Sequence, residues 1–501
     1  MSSAEDKVRR PGEHDDEDMD EMLAAEDAAE EIAEVHDVAM DSDNEDDVVD
    51  DVVDEVVLHN DSIAYFDLPS DSLFAIAQHP THPSLVALGG SAGPQDDAPG
   101  AGWIVDTAAA PARPVLPASY ASDPAAAPVR LDSLFALDGH SDSLNALCWT
   151  LPRGDVLVSG GLDGRVRAWG VDVRPGADDA VRLLGEAREV QEVNWLAACP
   201  SPAHPNAVAL GADDGSVWVY AVDPSDTAAP LRIVQSYFLH TGSCTAGAWT
   251  PDGQLLATVA EDSSLYVWDV WGLAAGQGVA GDGGATAVSL TRGDQRFEVE
   301  GGLYSVAIDP KGAFVAVGGA GGAVKIVSLP RLAAPASQSR GGAKGSAADP
   351  SAGGQILASL HAQGESIETL AVALTSTSPP TTLVAAGSVD GSIAVYDASR
   401  RFAVRRHIAG AHDGHSVVRL EFVPQSWLLT SCGMDGVVRR WDLRAGGATG
   451  SSAAADAGLL KEWRGHRGDG EGGGVLCFVQ GQTGERVVTA GDDGLALVFE
   501  A

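Results

Sequence analysis

From about residue 62 the chain is made of short Val/Leu/Ala-rich runs separated by Gly, Asp and Ser, and helical spacing of apolar positions is scarce. One unit repeats: LVSGGLDGRVRAWG (157–170), VALGADDGSVWVYA (208–221), LATVAEDSSLYVWD (256–269), VAAGSVDGSIAVYD (384–397), LTSCGMDGVVRRWD (429–442) and VVTAGDDGLALVFE (487–500). In each an aspartate stands six residues before an aromatic, as in Asp163/Trp169 and Asp493/Phe499. Degenerate copies lie at 315–328, with Gly321 and Val327 in those places, and around 84–106. A further strand precedes every unit, from DSLFAIAQHP to GGVLCFVQG, and another follows all but the last. Self-similarity at this spacing predicts eight four-stranded blades arranged as a ring. The missing outer strand of the final copy is expected from Ser62–Phe66, which closes the ring and leaves no orphan sheet edge.

The predicted fold class is therefore all-β, an eight-bladed propeller of WD-type repeats. In such blades a His, a Ser or Thr, an Asp and a Trp form a buried polar chain. Three copies carry all four: His140–Ser159–Asp163–Trp169, His240–Thr258–Asp262–Trp268 and His412–Ser431–Asp435–Trp441. These residues read as structural, since buried polar groups must be paired. The Asp-Gly turns are expected as hairpins with both central residues at positive φ. Segments 91–128 (Pro/Ala-rich), 272–294 and 331–354 (both Gly/Ala-rich) read as flexible insertions without structure of their own.

Charge changes the picture at the amino terminus. The 501 residues carry 72 acidic and 31 basic groups, a net of −41, and residues 1–60 hold 24 of the acids against 3 of the bases. That stretch is predicted to be a disordered acidic tail, with the propeller spanning 61–501. The remainder is also negative, at −20 (48 acidic against 28 basic). Such a balance opposes direct nucleic-acid binding and favours a basic protein partner. Five scattered cysteines (Cys148, Cys199, Cys244, Cys432, Cys477), no secretory leader and no apolar stretch long enough for a membrane helix indicate a reducing compartment: cytoplasm, with the nucleus open.

Chemistry is sparse. There is no HExxH, GxxxxGK[ST] or GxSxG; the DSDNEDD run (41–47) lacks the glycine and glutamate of a calcium loop; His79, His82 and His204 have no partner at ligand spacing. No catalytic residue, cofactor or metal site is expected. Attention moves to carboxylates that the fold does not require. Asp71, Asp142, Glu189, Glu192, Glu365 and Glu368 stand where the inner strands begin, and Asp213, Glu261 and Asp492 begin the tight turns. All these loops belong to one face of a propeller, so they predict a negative funnel for a Lys/Arg-rich peptide, with Trp218 and Tyr304 as candidate cation–π partners.

Five stretches are more particular: NDSIAYFDLPSDSLFAIAQHP (60–80), EVQEVNWLAACP (189–200), DDGSVWVYAVD (213–223), GESIETLAVA (364–373) and VVTAGDDGLALVFEA (487–501). With the acidic leader they resemble the fungal WD-repeat ribosome-assembly chaperones dedicated to large-subunit ribosomal protein L-ten (the uL-sixteen class). The animal relative, angio-associated migratory cell protein, is similar in the same places. The resemblance implies an eight-bladed propeller that binds the basic amino-terminal segment of the new ribosomal protein and delivers it to the pre-60S particle. It implies peptide contacts at Asp142, Glu368 and Asp492, with Glu192 a weaker addition. The three insertions and the eroded first blade depart from the shared pattern. The expected molecule is a monomer that meets the pre-60S particle only indirectly. Two other classes compete: a cullin-ligase substrate adaptor, from the WDxR box Trp441–Arg444, and a histone-binding scaffold.

Overall fold

The structure, a computed structural model, describes residues 59–95, 98–111, 128–174, 180–281, 283–332, 353–444, 458–468 and 473–501. The predicted acidic tail and most of the 331–354 insertion lie outside these residues. The described strands form eight sheets. Blades 1 to 8 take their inner strands from Leu73–Gln78, Leu144–Trp149, Val193–Ala198, Cys244–Trp249, Leu303–Ile308, Ile367–Thr377, Val417–Phe422 and Val475–Val479. Each inner strand lies beside the next, and the eighth lies beside the first, so the ring is closed.

Alternation along the strands sends successive side chains to the two faces of each blade, and each face packs on a neighbouring blade, as Val156 and Val158 do on one side and Leu157 on the other. Eight buried clusters result, one in each seam. Ala75, Ile104, Leu137, Leu144, Trp149 and Trp169 fill that between blades 1 and 2, and Leu383, Val395, Phe422 and Trp441 that between 6 and 7. Cross-blade hydrogen bonds add specificity: Asn145 Nδ2 donates to the Val193 carbonyl (3.2 Å), Asn194 Nδ2 to Ser243 Oγ (2.8 Å), Thr245 Oγ1 to Leu303 O (2.7 Å) and Ser305 Oγ to Ile367 O (2.8 Å). All five cysteines are free thiols; Cys432 and Cys477 donate weakly across the last two seams.

The last blade is closed as the sequence predicts. Ala64–Phe66 runs antiparallel to Ala496–Glu500, with Phe66 opposite Ala496. A fifth strand was not foreseen: Val129–Arg130, from the connection inside blade 1, pairs parallel with Ala64 and Tyr65, and Arg130 Nε holds Asp67 at 2.7 Å.

Three expectations need correction. The 91–128 insertion overlaps the degenerate first copy, whose residues 102–106 lie, as that copy requires, in the third strand of blade 1, Gly100–Asp106; the 272–294 segment contains a one-turn helix, Leu273–Gly276, and the outer strand of blade 4, Thr286–Leu290. An exposed sheet edge offers hydrogen bonds to any backbone that reaches it, so Gly- and Ala-rich composition did not prevent pairing. Second, the Asp-Gly turns place only their glycine at positive φ, for example Gly164 at 72° and Gly436 at 72°, and in blade 4 Ser263 takes that place at 61°, while the aspartates stay at negative φ. The Gly164 N–H reaches Gly161 O (3.1 Å) and Gly161 N–H reaches Arg165 O (3.1 Å), a turn closed by a left-handed bulge residue. Third, the polar chain of blade 4 has an extra link, described below.

Candidate functional site: an acidic rim

One backbone contact recurs in every blade and assembles the rim. The N–H of the residue that follows the second strand (in blade 1, its last residue) donates to the carbonyl of the residue just before the inner strand. The pairs are Ser91–Ser72, Leu162–Ser143, Asp213–Glu192, Glu261–Ser243, Ala320–Gly302, Val389–Ser366, Met434–Ser416 and Asp492–Gly474, at 2.9–3.3 Å. Every lead-in loop is thus fastened to the tight turn of its own blade, at one end of the sheets. Because the ring is closed, the eight ends share one face. Asp71, Asp142, Glu189, Glu192 and Glu365 come from the lead-ins, Glu368 from the start of the blade 6 inner strand, and Asp213, Glu261 and Asp492 from the turns.

Local geometry then aims the side chains. Each inner strand is bulged at its second residue, and a bulge redirects the side chain it carries. In blade 6 that residue is Glu368, which is exposed. Surrounding walls still desolvate its carboxyl and push its pKa up. In blade 5 it is Tyr304, whose phenol is raised by burial and then by Glu261 and Glu368, so acids of blades 4 and 6 converge on it. Gly302 makes the approach possible: its φ is 98°, and a Cβ there would lie 2.6 Å from the Glu261 carbonyl. At the seam of blades 8 and 1, Ser72 donates its N–H to Asp71 Oδ1 (2.8 Å) and its hydroxyl to Asp492 Oδ1 (2.6 Å). Asp142 Oδ1 accepts from Ser143 N (2.7 Å).

Among the described residues, none of these nine carboxylates forms an ion pair. Arg188 and Arg467 lie exposed in the same set of loops without engaging them. Two acids that sequence reasoning missed join the same face: Glu298 and Glu300, exposed in the lead-in to blade 5. Their signal is the alternation Phe297-Glu298-Val299-Glu300, in which Phe297 and Val299 are buried in the seam of blades 4 and 5.

The structural tetrads stand beneath this rim. In blade 2 His140 bridges Asp163 Oδ1 (3.1 Å) and Ser159 Oγ (2.9 Å), and Trp169 Nε1 donates to the same hydroxyl (3.0 Å). Blade 7 repeats this with His412, Asp435, Ser431 and Trp441. Blade 4 differs. His240 Nδ1 meets Ser264 Oγ at 2.6 Å, and Ser264 in turn bonds Asp262, which lies 4.0 Å from the ring. Burial holds the His240 pKa down to about 4, so the imidazole is neutral and this contact is no ion pair. Thr258 takes the other nitrogen (2.7 Å) and Trp268 (2.8 Å) as predicted. A fourth set is His466–Thr489–Asp493, with Phe499 in place of Trp. The histidines outside the tetrads serve packing and loop structure: His79 meets Trp149 edge-on while its Nδ1 accepts from Thr81 N (3.2 Å) and His82 N (3.1 Å), and His204 stacks on Trp271 at 3.5 Å. In the WDxR box Arg444 is held in its own blade, with Nη2 on Asp442 Oδ2 at 2.6 Å. Among the described residues, no group of three or more His, Cys, Asp or Glu is placed to hold a metal ion.

Residues 131–170 and 231–269 match the WD domain, G-beta repeat family. A crystal structure of Chaetomium thermophilum Sqt1 bound to the N-terminus of ribosomal protein L10 is 55% identical to this chain, covers 88% of it and is itself covered completely, with a TM-score of 0.75. The chain belongs to the Sqt1 family. Ribosome assembly protein SQT1 of Saccharomyces cerevisiae is 27% identical over 88% of this chain and 87% of its own length. Human angio-associated migratory cell protein is 25% identical over 73% of this chain and 69% of its own. The chain spans 55% of the length of another curated relative, an uncharacterised WD repeat-containing protein of Schizosaccharomyces pombe. The recognition drawn from five short stretches is borne out at the level of the family, as is the eight-bladed WD-repeat architecture.

Proposed function

We propose that this Sqt1-family chain is a dedicated chaperone for ribosomal protein L10 of the large subunit: it holds the basic amino-terminal segment on its acidic rim and delivers the protein for 60S assembly. The observation that carries the reading is the 55% identical Sqt1 whose crystal structure holds the N-terminus of L10. The unpaired carboxylates supply the physics, for a ring of like charge concentrates field over the channel mouth and speeds encounter with a cationic chain. Asp142, Glu368 and Asp492 are assigned direct contacts, with Glu192, Asp71, Asp213, Glu261 and Glu365 completing the field. The activity is capture and release without bond-making, so the chain acts as a binding protein and not an enzyme. Its place is the cytoplasm, where ribosomal proteins are made.

Calorimetric titration of the full chain with a synthetic L10 amino-terminal segment tests this. One-to-one binding at about 50 mM salt that weakens markedly at about 500 mM is expected, because the exposed charges are then screened beyond roughly 4–5 Å. No binding at low salt would refute the reading.

A further inference from the structure

Blade 3 departs from blades 2, 4, 7 and 8 at the rim. Its turn aspartate, Asp214, has no histidine to hold: the place taken four residues before the inner strand by His140 in blade 2 and His240 in blade 4 is taken here by Glu189. Asp214 is consequently exposed, whereas Asp163 is buried. Its Oδ1 accepts from Ser216 N (2.9 Å) and Ser216 Oγ (2.6 Å), and among the described residues its Oδ2 has no partner. The Ser216 hydroxyl also receives Trp218 Nε1 (2.9 Å), and Trp218 packs edge-on against Phe238, with centroids 5.6 Å apart and planes at 88°. Phe238 is 64% exposed and its neighbour Leu239 is 49% exposed. An unbroken chain of contacts therefore joins an open aromatic ring to a half-free carboxylate on the acidic rim.

Other blades show what fits such a place. In blade 7 the residue four after the turn aspartate is Arg439, whose Nη1 pairs with Asp435. In blade 2 Arg165 Nε lies 3.6 Å from Asp163. The chain thus supplies its own guanidinium to the turn aspartate in two blades. In blade 3 the residue at the place of Arg439 is Trp218, and an aromatic wall stands where the cation would be.

We propose that this corner of blade 3 is an arginine subsite: a guanidinium of the bound basic segment stacks on Phe238 and pairs with Asp214. The inference rests on the chaperone reading and adds a preference for arginine over lysine. A planar guanidinium can stack on a ring while its edge donates to a carboxylate, which a compact ammonium cannot do together.

The test uses the full chain and the L10 amino-terminal segment in two synthetic forms, one with arginine and one with lysine at every basic position. Phe238→Ala is expected to weaken the arginine form roughly two- to fivefold and the lysine form clearly less. Phe238→Trp should keep the wild-type affinity, and Asp214→Asn, which retains an acceptor for Ser216, should also lose affinity for the arginine form. An unchanged arginine-form affinity in Phe238→Ala, or equal loss for both forms, overturns the subsite and leaves the chaperone reading standing. Failure of the wild-type chain to bind either form refutes the chaperone reading and the subsite with it.

Discussion

Ring closure depends on a three-residue strand, and Phe66 is its anchor. The side chain is fully buried in the seam of blades 8 and 1 with Leu73, Val86, Leu88 and Val498, and its ring lies 5.8 Å from that of Trp103 at 63°. Phe66→Ala removes that apolar surface and leaves a cavity whose walls, two sheets and the Val129–Arg130 strand, are held by their own ladders and collapse little. The combined transfer and cavity cost is about 3–5 kcal/mol. Against a typical domain stability of about 5–15 kcal/mol, that is roughly a fifth or more of the total. Urea unfolding followed by tryptophan fluorescence reads the loss, with Trp103 as a reporter at the site of damage. Amide hydrogen exchange should show faster opening in 496–500 than in the inner strand of blade 4, on the far side of the ring. A loss below about 1 kcal/mol, or uniform exchange around the ring, would refute the view that this strand closes the molecule.

Other outcomes follow from the same geometry. Glu368→Lys and Asp492→Lys should each weaken capture of the L10 segment by about two- to tenfold at low salt, with the loss shrinking as salt rises; the unfolding midpoint should stay unchanged in Glu368→Lys, whose side chain is exposed, and fall slightly in Asp492→Lys, which loses the Ser72 hydrogen bond. The His240 pKa lies at about 4 in the fold against an ordinary 6.5, so the unfolded chain takes up the proton first as pH falls. The stability this group contributes is complete above about pH 6.5 and is lost as pH drops toward 4, by up to about 3 kcal/mol, and His240→Gln should flatten that slope in denaturant titrations. Ser431→Ala should cost about 1–3 kcal/mol, because it strands both His412 Nε2 and Trp441 Nε1, whereas Ser431→Thr should be nearly neutral, as Thr258 and Thr489 serve in blades 4 and 8.

What could be read from the chain was whatever is local. The six-residue step from aspartate to aromatic, the turn residues and the alternation of apolar residues fall within one hairpin, so eight blades were legible, and the closing Ser62–Phe66 segment followed from the one copy left without an outer strand. The recurring lead-in acids were legible for the same reason, since each sits at a fixed offset from its own strand. Other features depended on contacts between distant segments. Thr286–Leu290 became a strand because an open sheet edge awaited it, against the indication of its composition. Ser264 entered the blade 4 chain because the distance from His240 to Asp262 is set by the packing of two loops. The convergence of Glu261 and Glu368 on Tyr304, and the exposure of Asp214 beside Trp218 and Phe238, exist only once neighbouring blades are docked. Strand pairing obeys rules within a few residues, but the environment of a rim carboxylate is fixed by which loops the closed ring brings beside it, and that closure joins residue 64 to residue 498.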